Sequence, residues 1–156
     1  LQRAFDQALH DVCLQNLPVK LMIDRAGLVG SDGETHQGLF DLSFLAMIPN
    51  MTILSPKNRW EMADMVRFAV EFECPVALRY PRGEAYEGLR QFRAPVEYGK
   101  SEILYEEGDV AILFVGHMAK LAEEVRDGLK EEGISCSLVN ARFVKPLDKD
   151  TLNRLA

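Results

Sequence analysis

The chain has 156 residues, 47% hydrophobic and 27% charged, with a formal net charge of −6. This composition suits one ordinary globular domain or two small ones. The acidic balance argues against a nucleic-acid surface, and no apolar run approaches the roughly 18 residues of a membrane span.

Leu1, Phe5, Ala8, Leu9 and Val12 recur at helical spacing and predict an amphipathic helix over the first sixteen residues. Val19 to Ile23 reads as a short buried strand, followed by a Gly-rich loop. A helix is expected over Gly38 to Met47 and a strand over Met51 to Leu54. Ser55-Pro56 reads as a helix start, with Ser at the N-cap and Pro at N1. Met62, Ala63, Met65, Val66, Ala69 and Val70 mark that helix's buried face. Val76 to Tyr80 is a third strand. Strands alternating with helices imply parallel pairing in an α/β sheet.

The stretch from Gly83 to Gly99 breaks this rhythm and reads as a mobile linker. A second α/β pattern follows. Ser101 to Tyr105 alternates like a half-exposed strand, and Val110 to Val115 reads as a buried one. Ala122, Val125 and Leu129 stripe a helix ending near Gly133. Ile134 to Val139 is another strand, and Asp148 can cap a last helix, with Leu147 and Leu152 as its hydrophobic staple. Cys13, Cys74 and Cys136 lack C-x-x-C spacing, which predicts reduced, structural thiols in a cytosol-like compartment. Both ends of the chain fall inside predicted helices, so it reads as a piece of something longer.

The segment DRAGLVGSDGETHQG, Asp24 to Gly38, carries the chemistry. Glycine is expensive to order in a helix or strand but allows sharp turns and close approach to a ligand; Gly27, Gly30 and Gly33 are expected to serve in that way. The loop leaves a strand's carboxyl end, where parallel α/β sheets bind ligands. His36 is a candidate proton-transfer group, with Asp32 four residues upstream expected to orient its ring. Arg25 and Arg82, the latter in Tyr80-Pro81-Arg82-Gly83, should emerge at the same sheet edge, where two guanidiniums suit a phosphate. Arg79 faces the other way by strand alternation. No second histidine lies at metal-ligand spacing, so a zinc site is not expected. The structural alternatives are a long turn with no ligand, a helix-capping histidine and two surface ion pairs.

Taken together, LQRAFDQALHDV, IDRAGLVGSDGETHQGLFDLSFL, IPNM and LRYPRG resemble the 1-deoxy-D-xylulose-5-phosphate synthases, thiamine-diphosphate-dependent members of the transketolase superfamily. Asp-Gly-x-Thr-His-Gln is shared with transketolases broadly; the Asp-Arg-Ala-Gly and Tyr-Pro-Arg-Gly pairing is more specific. The resemblance implies a parallel-sheet α/β fold: a pyrimidine-binding domain over residues 1–83 that lacks its start, a linker over 84–99, and part of a C-terminal transketolase domain over 100–156. It implies condensation of pyruvate with glyceraldehyde 3-phosphate to 1-deoxy-D-xylulose 5-phosphate and CO2, in a pathway to isoprenoids, thiamine and pyridoxal. His36 resembles the histidine that assists proton transfer and Asp32 its polar partner. Arg25 and Arg82 resemble the phosphate-binding pair, and Arg3 an arginine beside the aminopyrimidine ring.

The glutamate that protonates that ring, and the domain holding diphosphate and magnesium, are expected upstream of Leu1. The parent is therefore expected to carry thiamine diphosphate and Mg as a cytoplasmic (or, in a plant, plastid) homodimer, and this chain alone to be inactive, with no metal site and no tightly bound cofactor. Two alternatives remain: a non-catalytic transketolase-like assembly module, and a protein like the 2-oxo acid dehydrogenase β subunit.

Overall fold

A computed structural model describes residues 2–156. The first segment coils as a 3-10 turn, one α-turn α1 (Phe5–Gln7) and a π-helical stretch, Ala8–Cys13. Its periodicity holds: Ala8 and Cys13 are buried, with Phe5, Leu9 and Val12 packed beside them. Leu1 of the predicted stripe lies outside the described residues. The chain continues through β1 (Lys20–Ile23), α2 (Asp41–Met47), β2 (Thr52–Leu54), α3 (Arg59–Glu71) and β3 (Val76–Arg79). Strands β1, β3 and β2 are parallel, as the alternation of elements predicts, with Ile23 opposite Arg79.

The fourth strand of this sheet was not legible in the sequence. After β4 (Glu102–Tyr105), β5 (Val110–Phe114), α4 (Ala119–Glu131) and β6 (Cys136–Asn140), the chain returns as β7 (Phe143–Lys145), antiparallel to β2. The order is therefore β1-β3-β2-β7 in one sheet and β4-β6-β5 in the other. Helix α5 (Lys149–Leu155) follows, and Asp148 caps it as expected, accepting from the Thr151 N–H at 3.2 Å.

Pleat alternation divides the first sheet's side chains between two cores. Ala77 packs with the N-terminal segment and α2, while Val76 and Leu78 pack with Met65 and Ala69 of α3. Phe143 of β7 enters the second core and meets Phe68 edge to face at 5.6 Å. A third core joins α4 to Leu104, Phe114 and Leu138.

Three local expectations are corrected. Helix α3 starts at Arg59, not at Pro56, because Asn58 supplies the cap, accepting from the Glu61 N–H at 3.0 Å. Val66 and Val70 are exposed; Phe68 and Phe72 take their place in the core. Strand β5 is an edge strand with Val110 and Leu113 exposed, not a buried one.

The segment 83–99 is anchored, where its composition predicted mobility. Leu89 is buried in the third core, and Tyr98 stacks on Phe72 at 4.9 Å. Asn58 Nδ2 donates to Gly88 O at 2.9 Å, and Arg142 donates to Pro95 O and Ala94 O at 2.8 and 2.7 Å. Arg142 belongs to a buried cluster of four charges. Lys57 Nζ donates to Glu61 Oε1 at 2.9 Å and Glu102 Oε2 at 2.5 Å; Arg142 Nε donates to Glu61 Oε1 at 2.8 Å and Nη2 lies 3.1 Å from Glu102 Oε1. Asn140 Nδ2 adds two bonds to the Glu61 carboxylate. Burial alone would push the Glu102 carboxyl up, but Lys57, Arg142 and the Ala94 N–H hold it below the usual carboxylate range.

Removing one member of a buried ionic cluster leaves an uncompensated charge and costs about 3–5 kcal/mol. Arg142→Ala should lower the unfolding free energy by an amount of that order, read as a lower urea midpoint, and open residues 83–99 to limited proteolysis. An unchanged midpoint, with the segment still resistant, would show that the cluster does not hold it.

Candidate active site

The parallel ladder continues beyond β1 and β3 and sets the position of the loop. Tyr80 N–H donates to Ile23 O and Ala26 N–H to Tyr80 O, both at 3.0 Å. Arg25 and Arg82 therefore leave the sheet at one edge, its carboxyl end, as expected. Asp24 Oδ1 accepts from the Arg25 N–H at 2.7 Å, and Arg25 takes a left-handed backbone with φ of 62°. Non-glycine residues held there are strained, and such strain collects at binding sites.

Two glycines close the root of the loop. Gly27 and Gly38 exchange a pair of backbone hydrogen bonds, each 2.9 Å. Gly27 has φ of 89°, and a Cβ on Gly38 would lie 2.1 Å from Arg25 O. Gly30 and Gly33 have open space around them and no positive φ, so these two are not the glycines the turn requires. Gln37 staples the interior: its Oε1 accepts from the Val29 N–H at 2.6 Å, and its Nε2 donates to Val29 O and Asp32 O at 3.0 and 3.2 Å.

Asp32 brings the two arginines together. Its carboxylate lies 2.7 Å from Arg25 Nε and 2.5 Å from Arg82 Nη1, and it is nearly buried between them. The trio carries a net charge of +1, with both guanidiniums roughly half exposed. This corrects the expectation that Asp32 orients His36. The His36 Nδ1 instead pairs with Thr35 Oγ1 at 2.9 Å. His36 is exposed and lines a concave surface of about 230 Å³ together with Arg25, Phe40, Asp41 and Phe44. Arg3, also exposed, borders a neighbouring recess with Gln2, Thr35 and His36. Arg3 and His36 thus share one recess, while Arg82 joins the site through Asp32.

Sequence reasoning missed three supports. Arg79 is excluded from the loop, as alternation predicts, but it forms a buried two-bond pair with Asp41, at 2.8 and 3.3 Å, beneath the site. Gln37 carried a signal, as an amide side chain in a glycine-rich loop. His117 carried none, because it lies eighty residues downstream. Its ring meets Gly27, whose added Cβ would lie 3.1 Å from it. Partial desolvation of the ring and the Arg79 guanidinium hold the His117 pKa below its ordinary value, partly offset by Asp41. Among the described residues, no group of three or more His, Cys, Asp or Glu could hold a metal ion. No described helix is long and apolar enough to cross a membrane.

Two sequence-family models match: the transketolase pyrimidine-binding domain over residues 1–87 and the transketolase C-terminal domain over 99–156. The chain belongs to the transketolase family through its pyrimidine-binding domain. Within that family, similar curated proteins are named 1-deoxy-D-xylulose-5-phosphate synthase. The one from Clostridium acetobutylicum is 53% identical over 161 residues, and the one from Lachnoclostridium phytofermentans 48% over 155 residues. These alignments take in 99–100% of this chain but 25% of each relative, so the chain spans about a quarter of their length. Among solved structures, one titled "Split gene transketolase, inactive beta4 tetramer" superposes with a TM-score of 0.89 at 31% identity, covering 99% of this chain and 49% of that one. A Campylobacter jejuni transketolase shares the fold, with a TM-score of 0.73 at 23% identity over 87% of this chain and 22% of its own.

A histidine whose folded pKa is depressed stabilises the fold above its unfolded pKa, and that contribution is lost as pH falls through the folded value. Wild-type unfolding free energy should therefore fall on acidification below the ordinary value of 6.5. In His117→Gln the decline between about pH 7 and 5.5 should be shallower. Parallel stability–pH curves for the two proteins would remove His117 from this account.

Proposed function

We propose that this chain forms one wall of the active site of a thiamine-diphosphate-dependent synthase that condenses pyruvate with glyceraldehyde 3-phosphate, giving 1-deoxy-D-xylulose 5-phosphate and CO2. The observation that carries this reading is the convergence of Arg25 and Arg82 on Asp32, beside His36, at the carboxyl end of the parallel sheet. The identity of about half of all positions to synthases supports the particular reaction.

The residues present fit one end of the cofactor. Arg3 and Gln2 border a recess at His36, and Phe40 and Phe44 wall the concave surface next to it. Arg3 and Gln2 would lie along the aminopyrimidine edge. Diphosphate and magnesium are assigned to the rest of the parent. When bound, the cofactor supplies the carbanion chemistry.

This chain's side chains handle the acceptor. Arg25 and Arg82 hold its phosphate through charge-assisted hydrogen bonds. Asp32 sets the directions of both guanidiniums and halves their charge, which favours exchange of substrate and product over tight retention. His36, at the edge of the concave surface, moves a proton at the acceptor's carbonyl oxygen. The two-unit organisation, residues 1–83 and 100–156 joined by 84–99, is part of the same reading. The chain by itself is expected to form no product. Catalysis requires the diphosphate-holding part, on the same polypeptide or on a separate one; the split-gene neighbour makes the second arrangement worth testing.

In the intact parent, loss of one charge-assisted phosphate contact should cost about 1.5–3 kcal/mol. Arg25→Ala and Arg82→Ala should each lower kcat/KM for glyceraldehyde 3-phosphate by roughly ten- to a hundred-fold, with cofactor affinity nearly unchanged. Lost cofactor binding with an unchanged acceptor KM would overturn the phosphate assignment.

His36→Ala should lower kcat at least about tenfold while the melting temperature stays close to wild type. A variant that melts several degrees lower yet turns over normally would mark His36 as structural.

A further inference from the structure

A second cavity, of about 420 Å³, lies where the start of α3, the strap after β3 and the turn before α4 meet. It shares no lining residue with the concave surface at His36. Its size falls within the range of small-molecule sites. Pro56, Met62, Tyr80, Pro81 and Tyr86 give it a largely apolar interior, while Arg59, His117 and Lys120 stand around it. Lys57 also reaches the lining but is committed to the buried charge cluster.

The charges around this cavity suit an anion with an apolar body. Arg59 pairs with Glu87, and Lys120 lies 3.8 Å from Glu124; all four side chains are well exposed. Exposed pairs of this kind are worth less than about 1 kcal/mol, so an incoming anion can displace them at little cost. Glu84 is the one acidic residue of the lining itself. Tyr86 stays protonated, its pKa pushed up to about 12 by burial and by its hydrogen bond to Glu123, and donates to that carboxylate at 2.5 Å. It therefore adds ring surface and no charge. His117, held below its ordinary pKa, offers a neutral imidazole. Arg59 and Lys120 lie in the first turns of α3 and α4, so the positive ends of two helix dipoles reinforce them.

We propose that this cavity is a binding site for a small organic anion, a phosphate or carboxylate carried on a compact apolar body. The apolar part fills the space between Met62, Pro81 and Tyr86, and the anion is held by Arg59 and Lys120. His117 lines the cavity and also covers Gly27, so an occupant contacts the root of the Gly-rich loop through one side chain. The site does not depend on the reaction proposed for the parent.

The 156-residue chain has three histidines, which makes the His117 ring resonance, assigned with His117→Gln, a clean NMR reporter. Phenyl phosphate should shift it saturably with a dissociation constant of about 0.1–5 mM, a range suited to a ligand of eleven heavy atoms. Inorganic phosphate should shift it at least about tenfold more weakly, because it lacks the apolar body. Arg59→Gln with Lys120→Gln should weaken phenyl phosphate binding about tenfold or more, and Ala85→Phe, at an exposed lining position, should block it. Arg25→Ala with Arg82→Ala should leave the His117 titration unchanged while altering any shift at His36. The site would be overturned if His117 did not respond, if phenyl phosphate and inorganic phosphate gave the same curve, or if only the Arg25 and Arg82 substitutions weakened binding.

Discussion

Four buried charges hold the two halves of this chain in one arrangement. Lys57 and Glu61 come from the entry to α3, Glu102 from β4 and Arg142 from the link between β6 and β7. Desolvating four ions is costly, and the cost is tolerable only when the charges sum to zero and the remaining polar atoms are bonded. Both conditions are met: two cations face two carboxylates, while Asn140, the Lys57 N–H, the Ala94 N–H and two carbonyls take the remaining bonds. The geometry is demanding, so the halves have little freedom to slide. An apolar contact of similar area would be stickier but less particular about register.

The candidate active site inherits that order through a short chain of contacts. The cluster places Asn58, Asn58 holds the strap at Gly88, and Arg59 N–H donates to Tyr86 O. The strap carries Arg82, and Arg82 meets Asp32. From the other side, β7 enters the first sheet and its Lys145 donates to Ala46 O and Ile48 O, capping the end of α2. Helix α2 begins with Asp41, which holds Arg79 below the loop. The Gly-rich loop is thus seated on residues from both halves, although it is one continuous segment with its own internal staple in Gln37.

In the proposed role, electrostatics at the loop balance phosphate binding against release. Two arginines without Asp32 would hold a phosphate with the full +2 charge and would repel each other in its absence. With Asp32 between them the pair is pre-oriented and the field is halved. The left-handed backbone at Arg25 shows the same trade: local strain is held in place by the Gly27–Gly38 ladder so that one guanidinium points along the sheet edge.

Local chemistry made much of this protein legible. Short apolar runs beside Pro marked the parallel strands of the first sheet: β2 and β3 are buried on both faces, and β1, at the edge, still packs Leu21 and Ile23 against the core. The loop announces itself by glycines and charges at a strand's carboxyl end and supplies Arg25, Asp32 and His36, while Arg82 follows from the end of the third strand. Three things depended on tertiary structure. The three residues of β7 are too few to carry a period, and their partner β2 lies some ninety positions earlier, so only sheet assembly could pair them. Nothing local to Lys57 or Glu61 marks them as buried; Glu102 and Arg142 arrive from distant segments of the chain to enclose them. The partner of Asp32 was also undecided: sequence distance favoured His36, but the parallel ladder delivers Arg82 to the same edge, and a carboxylate pairs more strongly with two guanidiniums than with one imidazole. Sequence by itself determined which groups stand at this sheet edge; the register of the strands decided which of them touch, because register, unlike periodicity, is a property of two segments at once.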